Sequence, residues 1–166
     1  MKKLFIVMAV AACTLLAACG AKKEPAKEES TQIPNPWTDC GTLEEAAELA
    51  GFDIAVPDRI DGYPNTFIQA VKDKMIQVFY SDKDMTAEDR RTVLIRKGKG
   101  SEDISGDYNK YALQEEKEMH GVKVTVKGEG ETIYNAVWTQ DGYAYSISAD
   151  DGLTLDQVDA LVELVK

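Results

Sequence analysis

Histidine, tryptophan and cysteine are scarce in this chain, and its basic charge is outweighed. Its 166 residues include one His, two Trp and three Cys. A single His leaves little material for a His-rich metal site. Lys and Arg number 19 against 29 Asp and Glu, a formal charge of −10. Phosphate binding needs a basic face, so this balance excludes nucleic acid as a partner. Also missing are a Gly-rich phosphate loop, a metal-spaced Cys or His pair and a nucleophile elbow. The reading is therefore of a protein with no cofactor, no metal and no enzyme activity. What remains is ordinary: 44% hydrophobic and 29% charged residues, which fit a globular chain and not a disordered one. The length fits one domain.

Long apolar runs are lacking too. The only extended one is Leu4 to Leu16, behind Lys2 and Lys3. It is shorter than the roughly 20 apolar residues of a permanent span, and its basic start matches a signal peptide. Leu16-Ala17-Ala18-Cys19 follows directly. The stretch resembles the lipobox of bacterial lipoproteins, where the Cys thiol is acylated and the preceding residues are removed. An ordinary secretory signal that happens to carry a Cys is the alternative. In the lipoprotein reading residues 1–18 are the signal. Several acyl chains on Cys19 anchor the mature protein to the cell membrane, on its extracytoplasmic face. Loss of Lys2 and Lys3 makes the mature chain more acidic still, so the anchor and not charge holds it at anionic lipid. Cys13 leaves with the signal, Cys19 is acylated, and Cys40 is left without an internal partner. A packing role for Cys40 is expected, because free Cys is often buried.

Residues 19–36 are rich in Lys, Glu, Ala, Pro and Ser, the composition of a solvated tether. Fully extended it would reach roughly 55 Å at ~3.3 Å per residue. The folded body is expected over residues 37–166. Thr42 and Glu45 form a capping box ahead of Leu43, Ala46, Ala47 and Ala50 on one helical face, and Gly51 closes that helix. Strand patterns follow at Phe52–Val56, Thr66–Lys72, Met75–Ser81 and Thr92–Lys97. Further ones are Tyr111–Met119 (charged and weak), Val122–Val126, Thr132–Thr139 and Tyr143–Ala149. Asp73-Lys74 and Asp141-Gly142 read as hairpin turns. Tyr143, Tyr145 and Ile147 share one face, and Ala144, Ser146 and Ser148 the other. Thr154 and Gln157 cap a last helix with a stripe of Leu155, Val158, Leu161, Val162 and Val165. Consecutive strands without long crossovers argue against a parallel sheet. The expected class is α+β: a twisted antiparallel β-sheet meander with an N-terminal and a C-terminal helix packed on it.

Three stretches carry a family resemblance. They are Thr42-Leu43-Glu44-Glu45-Ala46 with Ala50-Gly51-Phe52 and Val56-Pro57; Thr92 to Lys97 followed by Asp103-Ile104-Ser105-Gly106-Asp107-Tyr108; and Ala136-Val137-Trp138 with Asp141-Gly142-Tyr143-Ala144-Tyr145-Ser146. Together they resemble the bacterial family called domain of unknown function 4367, over nearly all of residues 37–166. The resemblance implies an extracytoplasmic envelope module of a Gram-positive bacterium. It brings no catalytic residues with it.

The most distinctive loop is Ser101–Tyr111. Glu102, Asp103, Asp107, Tyr108 and Tyr111 make it the candidate binding loop, with acidic and aromatic groups suited to a cationic or peptide partner. The plainer reading is an ordered connection whose Ser and Asp close local turns. Asp82, Asp84, Glu88 and Asp89 form a second acidic cluster. It lacks the Gly and final Glu of a calcium loop and reads as solvated. Asp150-Asp151-Gly152 reads as a turn before the Thr154 cap. His120 reads as an exposed turn residue, and only a tight cluster with Cys40 and a carboxylate would make it catalytic. Trp37, Trp138, Tyr143 and Tyr145 read as core before groove. Two functions remain open. One is a non-enzymatic binding or regulatory module that meets an envelope protein with a basic surface. The other is a carrier of lipid or another hydrophobic ligand in a sheet–helix pocket.

Overall fold

The computed structural model describes residues 35–166. The expected signal peptide, Cys19 and nearly all of the expected tether lie outside the described residues. In chain order the elements are β1 (Thr38–Cys40), α1 (Leu43–Ala50), β2 (Asn65–Val71), β3 (Met75–Ser81), β4 (Thr92–Lys99), β5 (Leu113–Met119), β6 (Val122–Glu129), β7 (Thr132–Gln140), β8 (Tyr143–Leu153) and α2 (Leu155–Leu164). The strands form one antiparallel sheet in the order β1-β2-β3-β4-β8-β7-β6-β5. It consists of two four-strand meanders joined where β4 pairs with β8. One long crossover is therefore needed, which the sequence pattern did not announce. Residues 100–112 carry the chain from mid-sheet to the far edge, past β8, β7 and β6.

Strand chemistry explains the order. β8 is buried along most of its length and stands in the middle. β5, with Glu115, Glu116, Lys117 and Glu118, is mostly exposed and stands at an edge. Charged side chains are tolerated there because one side of the strand already faces water. β1 lies at the other edge; three residues without apolar alternation gave no strand signal. Phe52–Val56 is not a strand. Ala55 exchanges main-chain hydrogen bonds with Lys166 at 2.9 and 3.2 Å, so this stretch finds its partner at the end of the chain.

Cross-strand register divides the sheet into two unlike faces. On one, Ala70, Ile76, Lys97, Tyr145, Trp138 and Val124 form a row from β2 to β6. The next row is Ile68, Val78, Ile95, Ile147, Ala136 and Val126. These residues share one core with the buried side of both helices: Ala46 and Ala50 of α1, and Val158, Leu161 and Val162 of α2. Trp138 and Tyr145 stack there, with ring centroids 5.1 Å apart and 5° between planes. They are core, as expected. Lys97 intrudes on this face at the strand's end, with its ammonium 4.7 Å from the Tyr143 ring centre and 5.5 Å from that of Tyr145. Burial lowers its pKa, and the nearby Asp53 carboxylate works against that. Tyr80 reaches through the same core to the Pro57 carbonyl at 2.5 Å and clips the 52–63 segment down.

Caps hold the helices. Thr154 and Gln157 make the full reciprocal box at 2.8 and 3.2 Å. At α1, Thr42 Oγ1 accepts from Glu45 N–H, but the Glu45 carboxylate accepts from Gly41 N–H instead of the cap residue. The segment Asp150–Gly152 is not a turn. It continues β8 through a register shift opposite Ile133–Asn135, with Gly152 at φ 74°. A Cβ there would overlap the Thr132 methyl, and one at Gly128 would overlap the Thr132 carbonyl oxygen, so both places require glycine.

Candidate functional site

The second face carries a different chemistry. Asp39, Gln69, Gln77, Arg96 and Ser146 stand in one register row across β1, β2, β3, β4 and β8. Four of them form a hydrogen-bonded chain. Arg96 Nε donates to Gln77 Oε1 at 2.9 Å, Gln77 Nε2 to Gln69 Oε1 at 2.6 Å, and Gln69 Nε2 to Asp39 Oδ1 at 2.7 Å. All three donors point the same way. A partly buried guanidinium is thus linked to an exposed carboxylate through two polarised amides, which offsets part of its desolvation. Burial lowers the Arg96 pKa. Trp37, where the tether enters, lies 5.8 Å from the guanidinium carbon.

The other end of Arg96 holds the candidate loop. Its Nη1 donates to the carbonyls of Ile104 and Ser105 at 3.0 and 2.6 Å. Asp103 adds a second pin. Oδ1 accepts from Ser105 N–H and Oγ–H at 2.9 and 2.6 Å, and Oδ2 accepts from Lys127 Nζ of β6 at 2.8 Å. Burial pushes the Asp103 carboxyl up, but Lys127 and Ser105 outweigh it and hold the pKa below its ordinary value. The crossover is therefore a strap lashed across the polar face, with Ser105 6% exposed beneath it.

This geometry sorts the candidate residues into three places. Asp107 and Tyr111 line a cleft of about 500 Å³ with Glu129, Tyr134, Ser148 and Asp150. Tyr111 stacks on Tyr134, centroids 5.8 Å apart. Burial and a hydrogen bond to Asp107 raise its phenol pKa. Glu102 and Asp103 line a separate cleft of about 360 Å³ with Glu116 and Lys123. Tyr108 stands at the crest of the strap, 96% exposed. Asp103 is thus committed to bracing the strap. Tyr108 remains open to a partner, Asp107 lines the cleft while accepting from Asn109 N–H at 2.9 Å, Tyr111 is packed on Tyr134, and Glu102 is exposed with no hydrogen-bond partner among the described residues. Sequence reading missed Tyr134, Glu129 and Asp150, which reach the cleft only through sheet pairing. It also missed Arg96, whose signal was a charged side chain directly after the apolar run Val93–Ile95, still inside the strand pattern.

The other acidic groups singled out in the sequence, Glu88 excepted, are occupied. Asp82 accepts from Arg91 N–H and Nε at 2.7 and 3.0 Å, Asp84 caps Thr86, and Asp89 pairs with Lys83. Asp150 accepts from Thr92, and Asp151 pairs with Arg91 at 2.6 Å. No group of three metal-binding side chains converges among the described residues. Cys40 lies on β1 and His120 at the β5–β6 turn, so they occupy opposite edges of the sheet. Cys40 is half-buried against the core, and burial, then the Glu45 charge, raises its pKa. His120 Nε2 sits 3.2 Å from Asp159 Oδ2. No protein-family model, curated protein or solved structure matches this chain. The functional reading therefore rests on the chain's own residues.

Proposed function

We propose that this protein is a lipid-anchored, extracytoplasmic module of the bacterial cell envelope that binds a partner and performs no chemistry. Its folded body sits on a tether from acylated Cys19, and its place beside the domain of unknown function 4367 family rests on the three motif stretches. The observation that carries the binding reading is the strap. A crossover of this length is expected to be mobile unless tied down. Here Arg96 and Asp103 fix its root while Tyr108 is left 96% exposed at its crest. A large amphipathic side chain presented to water from a loop pinned at its root is suited to act as a recognition anchor. Carboxylates on either side, Glu102 and Asp107, favour a partner with a basic surface.

The carrier reading has less support. Buried side chains from sheet and helices fill the space between them, and the clefts described above lie beside the strap. The enzyme reading needs Cys40 and His120 together, and they lie on opposite edges.

The test is photo-crosslinking in the native host, with a photoreactive residue at position 108. A discrete adduct that is weakened by high salt is expected. A Cys19→Ala variant, released from the membrane fraction, should lose that adduct. Background labelling alone at position 108 would sink the strap as the partner's surface.

A further inference from the structure

The far edge of the sheet is open. β5 pairs with β6 on one side only. No main-chain hydrogen bond outside that ladder involves residues 113–119 among the described residues. The strand is seven residues long, whereas β1 at the opposite edge has three. Beside β5, the first turn of α2 leaves a groove made of two adjoining clefts of about 530 and 240 Å³, which share Lys117, Leu155 and Asp156. Its floor is apolar: Leu113, Val126, Ile133, Met119 and Leu155. Leu155 is 39% exposed, although the helical stripe assigned it to the core.

The rim is acidic. Lys117 is the only Lys or Arg lining either cleft, and it is paired with Glu115 at 2.5 Å. Glu118, Glu131 and Asp156 also line the groove and form no ion pair among the described residues. Charge on an edge strand discourages indiscriminate pairing. It also selects. A second copy of β5 would set Glu116 against Glu116 in an antiparallel pair centred on the strand, whereas a strand bearing Lys or Arg at alternate positions meets opposite charge.

We propose that the β5 edge takes an extended basic segment of a partner protein as a ninth strand, with one apolar side chain of that segment seated against Leu155. The main-chain ladder supplies affinity, the groove supplies register, and the carboxylates choose the sign of the partner. This rests on the binding-module reading and adds a second surface with its partner's chemistry.

The probe is a seven-residue peptide alternating Lys and Val, offered to the full chain in non-ionic detergent. Hydrogen exchange at Leu113–Met119 should slow when it binds. A peptide with Pro at its centre, which cannot complete the ladder, should bind at least about tenfold more weakly, and one with Glu in place of Lys should not bind. Leu155→Glu and Glu118→Lys should each weaken binding of the parent peptide several-fold, while the protein's far-UV circular dichroism stays unchanged. Unaltered exchange at β5, or equal binding of the Pro peptide, would overturn the proposal. A second photoreactive probe at position 118 separates the two claims. Capture at 108 with none at 118 defeats the β5 proposal alone; failure at both defeats the binding-module reading as well.

Discussion

The two faces of this sheet are built from opposite materials. The face beneath the helices is a continuous apolar core in which Ile95 and Ile147 are at most 1% exposed. The face beneath the strap buries Gln77, Ser81, Asn135 and Ser146 instead. Both are covered, but different forces cover them. Helices are held by apolar area removed from water, which is non-directional and strong. The strap is held by a handful of directed hydrogen bonds from Arg96, Ser105 and Lys127. Directed bonds of this kind contribute about 1 kcal/mol net each, and they fix geometry more than they add stability. The lesson is that one sheet can keep its rigidity on one side and present a shaped polar surface on the other.

The sharpest way to probe that division is to cut into each face in turn. Ile95→Ala, on the helix side, should cost roughly 2–5 kcal/mol, read as a lowered denaturation midpoint with an unchanged slope. Asp103→Asn, on the strap side, should cost only about 1 kcal/mol, because the pair with Lys127 is part-exposed and screened. The same variant should nevertheless raise hydrogen exchange across 101–111 far more than elsewhere. Acid should mimic it. The folded pKa of Asp103 is depressed, so its contribution is complete above the ordinary aspartate value of about 3.9 and is lost as pH falls through the lower folded value. Amide resonances of Ser105 followed by NMR titration should move in that acid window, and a midpoint at or above the ordinary value would contradict the brace.

The smallest effect is expected at Ser146. Its hydroxyl is 0% exposed and has no hydrogen-bond partner among the described residues. Ser146→Ala should therefore be neutral, or stabilising by up to about 1 kcal/mol, by thermal melt. A loss comparable to that of Ile95→Ala would show that the polar face is as tightly interlocked as the core, and the contrast between the faces would fail.

Local chemistry was legible where one element sufficed to express it. Met75–Ser81 is an apolar run set off from the preceding one by Asp73-Lys74, so β3 was readable to its ends. Asp141-Gly142, with φ of 53° and 82°, turns as such a pair should. The Thr154–Gln157 box was readable for the same reason. Phe52–Val56 misled because four apolar residues in five specify extension but not a neighbour. Leu155 misled because a helical stripe says which side turns inward and not where the sheet beneath it stops. The candidate loop was recognised by its residue types, yet Asp103 braces while Asp107 and Tyr111 face a cleft. That division depends on Lys127 and Tyr134, which are remote in sequence.

The sequence by itself determined the antiparallel pairing habit, the two capped helices, the acidic surface and the scarcity of catalytic groups, because each follows from composition or from neighbours within a few positions. Only the tertiary structure decided that β4 meets β8, since pairing between distant strands depends on which strands must be buried on both faces. That single junction forces the crossover, lays the strap over Arg96, and leaves β5 at the edge with its outer side open.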